Sequence, residues 1–330
     1  MKLRTVYATL ALLAPFATLA AEADHAVYAS PQQLVDIGGR KLHLHCQGSG
    51  DTTVIFSSGS GRPGSDWALV QPEIAKRARA CIYDRAGFGF SDASPRAGSI
   101  NHAVDDLHAL LRKAGLKPPF VLAGNSYGGM IVQQYAYRHP KDVAALVLLD
   151  AQHEDEAPRL DKLTNGAYTR RTRQLWEMDK TCLAQARKGF VAGSELEGVC
   201  VQGGQEPWGP ALQAALARQK AMPKHWHASI AENSQLYDVS PAQLRKSRKP
   251  FGDMPLVVRT RGVSPYLVPG QEPSATNKAI EAANKTMQDE VAALSTRGSN
   301  EVVADAGHAI HMEKPDAAVR AVQAALDMLP

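Results

Sequence analysis

Short apolar runs alternate with amphipathic stretches through the first 150 positions. Thr53-Val54-Ile55-Phe56, Ala80-Cys81-Ile82-Tyr83, Phe120-Val121-Leu122-Ala123 and the run 144–149 are almost wholly apolar, and each gives way to Ser, Asp or Gly. Runs of this kind suit strands buried on both faces, as in a parallel sheet. Lys41-Leu42-His43-Leu44-His45-Cys46 alternates with period two and also predicts a strand. Helical spacing fills the gaps. In 101–114, Val104, Leu107, Leu111 and Ala114 share a face and Gly115 follows; 127–139 is helix-compatible and stops before Pro140. Alternating strands and helices imply right-handed βαβ units and an α/β fold. After Asp150 the strand signals fade. Positions 151–252 are polar, helix-compatible and interrupted by Pro158, Pro207, Pro210, Pro223 and Pro241. Strands return at 254–260 and 300–304, with helices over 279–294 and 315–329. The expected organisation is a core from 24–150 and 253–330, interrupted by a helical lid at 151–252.

Composition and charge add little to this picture except at the N-terminus. Hydrophobic residues make up 44% and charged residues 21%, ordinary for a globular chain. A net charge of +4, dispersed along the sequence, gives no nucleic-acid signature. There is no internal repeat or low-complexity segment. Lys2 and Arg4 precede an apolar run from Val6 to Leu19, and small residues follow at 18–23. That order predicts a signal peptide over 1–20, hence an exported mature chain; no other stretch is long and apolar enough to span a membrane. Cys46, Cys81, Cys182 and Cys200 would then mature in an oxidising compartment. Their spacing shows no metal pattern, and four cysteines allow three pairings.

The chemistry concentrates at Gly124-Asn125-Ser126-Tyr127-Gly128, a G-x-S-x-G pattern between an apolar strand and a helix. A sharp strand-to-helix turn would hold Ser126 in a strained conformation with its hydroxyl exposed, and Gly124 and Gly128 would spare the neighbouring backbone a Cβ clash. The Tyr127 N–H, at the helix start, would face a developing oxyanion. A serine hydroxyl needs a base. Ala306-Gly307-His308-Ala309-Ile310-His311 lies just past the last strand; His308, after a glycine, is the expected base, and His311 is expected to pack or cap the next segment.

Taken together, these segments resemble the α/β-hydrolase superfamily from Leu34 to Pro330, most loosely in the lid. Ser58-Gly59-Ser60-Gly61 with Trp67 is similar to the oxyanion loop after the third strand. Asp84-Arg85-Ala86-Gly87-Phe88-Gly89-Phe90-Ser91 is similar to the D-x-x-G-x-G-x-S turn after the fourth. The serine elbow and the Gly-His segment complete the family order. The resemblance implies that the N–H groups of Ser60 and Tyr127 form the oxyanion hole. Two departures stand out. The usual His-Gly of the oxyanion loop is Ser58-Gly59 here, and the turn after the seventh strand, Arg261-Gly262-Val263-Ser264-Pro265, lacks the family's acid. Asp150, at the end of the sixth strand, where some haloalkane dehalogenases place the acid, is the expected substitute. Asp155, Glu154 and Asp305 are rivals, and Asp253 should lie at the wrong end of the sheet. In the family's strand order the second and fourth strands are neighbours, which implies a Cys46–Cys81 bridge and leaves Cys182–Cys200 in the lid.

The implied activity is acyl transfer to water by a Ser126–His308–Asp150 triad, without cofactor or metal, on a small-molecule carboxylic ester or lactone. Two alternatives are an amide or peptide hydrolase of the proline-iminopeptidase type and a non-catalytic binding protein on the same fold. Dehalogenase and epoxide-hydrolase chemistry is disfavoured, because those relatives use an Asp nucleophile where this chain has Ser126. Trp208, Trp226, Tyr237 and Tyr266 could line the pocket or form the lid's own core.

Overall fold

A computed structural model describes residues 25–202, 207–267 and 270–330; the signal-peptide segment 1–20 lies outside the described residues. Eight strands form one sheet in the order β1-β2-β4-β3-β5-β6-β7-β8. They are β1 (Gln33–Asp36), β2 (Lys41–Gln47), β3 (Thr53–Ser57), β4 (Arg79–Tyr83), β5 (Phe120–Asn125), β6 (Val143–Leu149), β7 (Leu256–Arg261) and β8 (Gly298–Val303). Only β2 runs against the others. The carboxyl ends of β3, β5, β6, β7 and β8 therefore share one edge. Short β1, with a single buried residue, carries too little apolar signal to be recognised in the sequence.

Period-two side-chain direction divides the central strands between two cores. Ile55, Leu122, Leu146, Leu148, Leu256 and Val258 face one layer, packed with residues of the helices Ile100–Lys113, Tyr127–Arg138 and Val239–Ser247. Val54, Phe56, Val121, Ala123, Ala145, Val147, Leu149 and Val257 face the other, beneath the helix Pro315–Asp327 and the short helix Gln71–Ala75. Coverage on both faces is why these strands are continuously apolar.

Between β6 and β7 the described residues form helices and no strands, among them Glu156–Thr164, Ala167–Ala186, Pro210–Lys220, Pro223–Asn233 and Val239–Ser247. Four of the prolines expected to interrupt this segment sit at helix starts, where one helix gives way to the next. Pro210 and Pro223 occupy the first helical position, and Pro158 and Pro241 lie within the first turn. A first-turn residue has no intrahelical carbonyl for its N–H, so proline costs nothing there. The insertion has a small core of its own, with Cys182, Ala186, Cys200, Val201 and Trp226. Both bridges form as the strand order implied. Cys46 and Cys81 face each other across β2 and β4, and Cys182 pairs with Cys200. No helix among the described residues is long and apolar enough to cross a membrane.

Candidate active site

Ser126 is the first residue past β5 and immediately precedes the helix Tyr127–Arg138. Its φ of 52° and ψ of −124° place a non-glycine residue in a costly backbone region. The flanking glycines make the turn possible. A Cβ on Gly124 would lie 2.5 Å from the Gly128 carbonyl oxygen, and one on Gly128 would lie 2.1 Å from that of Ser57. Asn125 fastens the turn to its surroundings, donating to the carbonyls of Leu149 (2.8 Å) and His308 (2.9 Å).

Asp150 ends β6 on the same sheet edge, and it too has a positive φ, 42°. Its side chain is 1% exposed and fully engaged. Oδ2 accepts from His308 Nδ1 at 2.6 Å and from Arg261 Nη1 at 2.8 Å. Oδ1 accepts from Asn284 Nδ2 at 2.9 Å and from the Arg261 N–H at 3.3 Å. Burial alone would raise the carboxyl's pKa; Arg261, His308 and Asn284 outweigh it and hold the group far below the usual carboxylate range. An ionised Asp150 can only accept hydrogen bonds, so Nδ1 of His308 carries the proton and Nε2 is the basic nitrogen. Desolvation disfavours the imidazolium, but the hydrogen bond to Asp150 and its charge prevail and raise the His308 pKa above its ordinary value. The His308 side chain remains 44% exposed, so its free edge stays open to a reactant. Glu313 holds the loop on both sides of it, accepting from the Gly307 N–H (2.7 Å) and the Ala309 N–H (3.2 Å).

The rival groups are occupied elsewhere. His311 is buried, stacks on Trp67 with ring centroids 4.4 Å apart, and lies 3.9 Å from Asp66. Asp155 pairs with Arg245 at 2.6 Å, Glu154 with Arg248, and Asp305 with Lys314. Asp253 precedes β7 and is exposed, at the opposite edge.

The loop after β3 passes directly beside Ser126, since a Cβ on Gly59 would lie 3.4 Å from the Ser126 Cβ. Among the described residues no hydrogen bond takes up the Ser60 N–H. The Tyr127 N–H opens its helix, where no intrahelical carbonyl can accept it. Two donors therefore remain at the positions the sequence indicated. The Tyr127 side chain points away and donates to the Gly98 carbonyl at 2.6 Å.

Three residues that bear on Asp150 were not singled out in the sequence: Arg261 and Asn284, which bond it, and Glu156, which feels its charge. The signal for Arg261 was present, because it begins the very turn from which the family acid is missing. Arg261 is itself buried and bridges Asp150 to Glu281 (2.9 Å). Glu156, in the first turn of its helix, accepts a hydrogen bond from Tyr168; burial is the main influence on its carboxyl and raises its pKa. Tyr168 packs edge-on to both Tyr237 and Tyr266. Of the four aromatic residues singled out in the sequence, Trp208 and Trp226 are core, whereas Tyr237 and Tyr266 join this partly buried Tyr168 group. One set of metal-donor residues occurs among those described, His108, His139 and Asp142. The two imidazoles stack nearly parallel with ring centroids 3.9 Å apart, so their in-plane lone pairs do not converge on one ion.

Residues 54–322 match the alpha/beta hydrolase family. Among curated proteins the chain is similar to 2-hydroxymuconate semialdehyde hydrolase of Pseudomonas sp. (strain CF600), 37% identical over 134 residues, which are 36% of this chain and 45% of that protein. It is also similar to the uncharacterized protein YbdG of Bacillus subtilis (strain 168), 31% identical over 119 residues, 36% of this chain and 37% of that one. The matched regions thus span less than half the length of these relatives. Among solved structures, a putative lipase from Acinetobacter baumannii AYE superposes with a TM-score of 0.62 at 16% identity, covering 97% of this chain and 98% of that one. The enol-lactonase from Burkholderia xenovorans LB400 does so with a TM-score of 0.56 at 19% identity, covering 89% and 100%. A putative epoxide hydrolase from Pseudomonas aeruginosa reaches 0.62 at 19% identity, covering 90% and 95%. At these identities the superpositions speak for the fold.

Proposed function

The chain belongs to the alpha/beta hydrolase family, and from that premise we propose that it is a serine hydrolase that cleaves a carboxylic ester or lactone through an acyl-enzyme intermediate. The observation that carries this reading is the 2.6 Å hydrogen bond from His308 Nδ1 to Asp150, on the sheet edge where Ser126 is held in a strained turn. A serine at the nucleophile position also separates this chain from hydrolases that attack with an aspartate.

In the proposed reaction His308 Nε2 takes the Ser126 proton as Oγ bonds to the carbonyl carbon. The carbonyl π electrons move onto oxygen, where the Ser60 and Tyr127 N–H groups receive the charge. Collapse breaks the bond to the leaving alkoxide, which takes the proton from His308. Water, deprotonated by the same nitrogen, repeats the sequence on the acyl group and frees Ser126. Asp150 fixes the imidazole and stabilises its cation, and Arg261 and Asn284 keep Asp150 ionised. The core supplies these groups, and the insertion 151–252 acts as the lid. The two disulfides favour an exported chain.

A substrate panel tests the assignment. Purified protein should hydrolyse p-nitrophenyl esters or aliphatic lactones at least about 10²-fold faster, in kcat/KM, than aminoacyl p-nitroanilides. The reverse preference would favour an amide hydrolase.

A further inference from the structure

We propose that Glu232, a residue of the insertion, is a positioning residue for the oxyanion loop of the ester-hydrolysing site proposed above, and acts through Arg85. The inference rests on that reading. Glu232 and Arg85 form a buried ion pair, Nε to Oε1 at 2.6 Å and Nη2 to Oε2 at 3.0 Å, with side chains 7% and 6% exposed. The pair grips three successive peptide units of the loop. Arg85 donates from Nη1 to the Ser58 carbonyl and from Nη2 to the Gly59 carbonyl, both at 2.7 Å. Glu232 Oε2 accepts from the Gly61 N–H at 3.0 Å. Ser60 Oγ lies 3.1 Å from both Glu232 Oε2 and Asn233 Oδ1.

The middle unit matters most. A trans peptide is planar, and its C=O and N–H point in opposite directions. Arg85 fixes the Gly59 carbonyl on one side, so the Ser60 N–H is aimed to the other. The loop lacks the histidine usual at Ser58, and this ion pair supplies the restraint from outside it. The restraint comes from the insertion, since Glu232 lies in the last turn of the helix Pro223–Asn233. Ser229 and Asn233 of that helix both bond Asp179 of the helix Ala167–Ala186 at 2.7 Å. The core loop at Gly98 fits so closely that a Cβ there would lie 2.4 Å from the Glu232 nitrogen. Seating the insertion and ordering the oxyanion hole are therefore one event. An anchor alone would not call for such an arrangement, because apolar packing holds buried surfaces together as well as an ion pair does.

The test compares kcat on a p-nitrophenyl ester and on the matching thionoester, for the full chain and for Glu232→Gln and Arg85→Lys. Sulfur in place of the carbonyl oxygen accepts weakly from N–H donors, so an ordered hole favours the oxygen substrate. Both rates come from one preparation, so loss of folded protein scales them together. Misaligning one donor should lower the oxygen-ester kcat by about 10²-fold, change the thionoester kcat far less, and leave KM within a few-fold. Arg85→Lys keeps the cation but cannot reach both carbonyls, and should collapse the ratio similarly should Glu232→Gln not fold. An unmoved ratio in an active variant, whether or not both rates fall, overturns the inference alone. A wild-type chain inactive on both esters overturns the parent reading, and this inference with it.

Discussion

Ser126 and Asp150 directly follow neighbouring strands, and both hold a positive φ that costs a non-glycine residue energy. Such strain persists only where surrounding structure enforces it. Here the enforcement is visible in the two elbow glycines, in Asn125 and in the four hydrogen bonds to Asp150. The electrostatics give a signed expectation. The His308 pKa is raised, and Asp150 is a principal cause. Catalysis needs the neutral imidazole, so kcat/KM should rise with pH through a midpoint above 6.5, the ordinary value for histidine. Asp150→Asn removes the charge that raises it. That variant should lower kcat by roughly 10³–10⁴-fold and move the remaining acid limb to lower pH, as a pH–rate profile would show. An unchanged midpoint would place the acid elsewhere. Arg261 acts on the same carboxylate. Arg261→Met leaves Asp150 buried with one fewer cation and should cost about 3 kcal/mol in urea unfolding; a loss below about 1 kcal/mol would mean that Asn284 and His308 suffice.

At the level of elements, strand ends and helix starts bring distant segments together. Strands β3, β5, β6 and β8 deliver the Ser60 loop, Ser126, Asp150 and His308 to one edge from positions spread over 250 residues of chain. These strands were legible because burial on both faces leaves continuous apolar runs between polar turns. The single strand β1 and the five-residue helix Gln71–Ala75 were not, because neither is long enough to show a period. Between β6 and β7 the prolines mark where one helix gives way to the next, although a one-residue signal does not distinguish a helix stop from a first turn. The insertion's disulfide closes an 18-residue separation and packs with Trp226. Replacing Cys182 and Cys200 by serine should destabilise the insertion by about 3 kcal/mol. Hydrogen exchange should report that loss in the helices Ala167–Ala186 and Pro223–Asn233, with protection of β5 and β6 retained. Equal loss throughout would show that insertion and core unfold as one unit.

Across the whole molecule, local motifs single out Ser126 and His308 as the proposed nucleophile and base, whereas Asp150 and its supports follow from topology. Asp150 could be singled out only because the turn after β7 lacked a carboxylate. Arg261, at the head of that turn, binds Asp150 itself, so the missing acid after β7 and the carboxylate after β6 are one exchange of partners across adjacent strands. Asn284, Glu281 and Glu232 carry no such sequence signal, because each comes from a helix whose approach is decided by packing. The central claim, that Ser126 is the nucleophile of a working triad, is tested most directly by covalent labelling with a fluorophosphonate followed by mass spectrometry. The account predicts one adduct, on Ser126, lost in Ser126→Ala and formed far more slowly in His308→Ala. Folded wild-type protein that takes no label, or a label that survives Ser126→Ala, would contradict it.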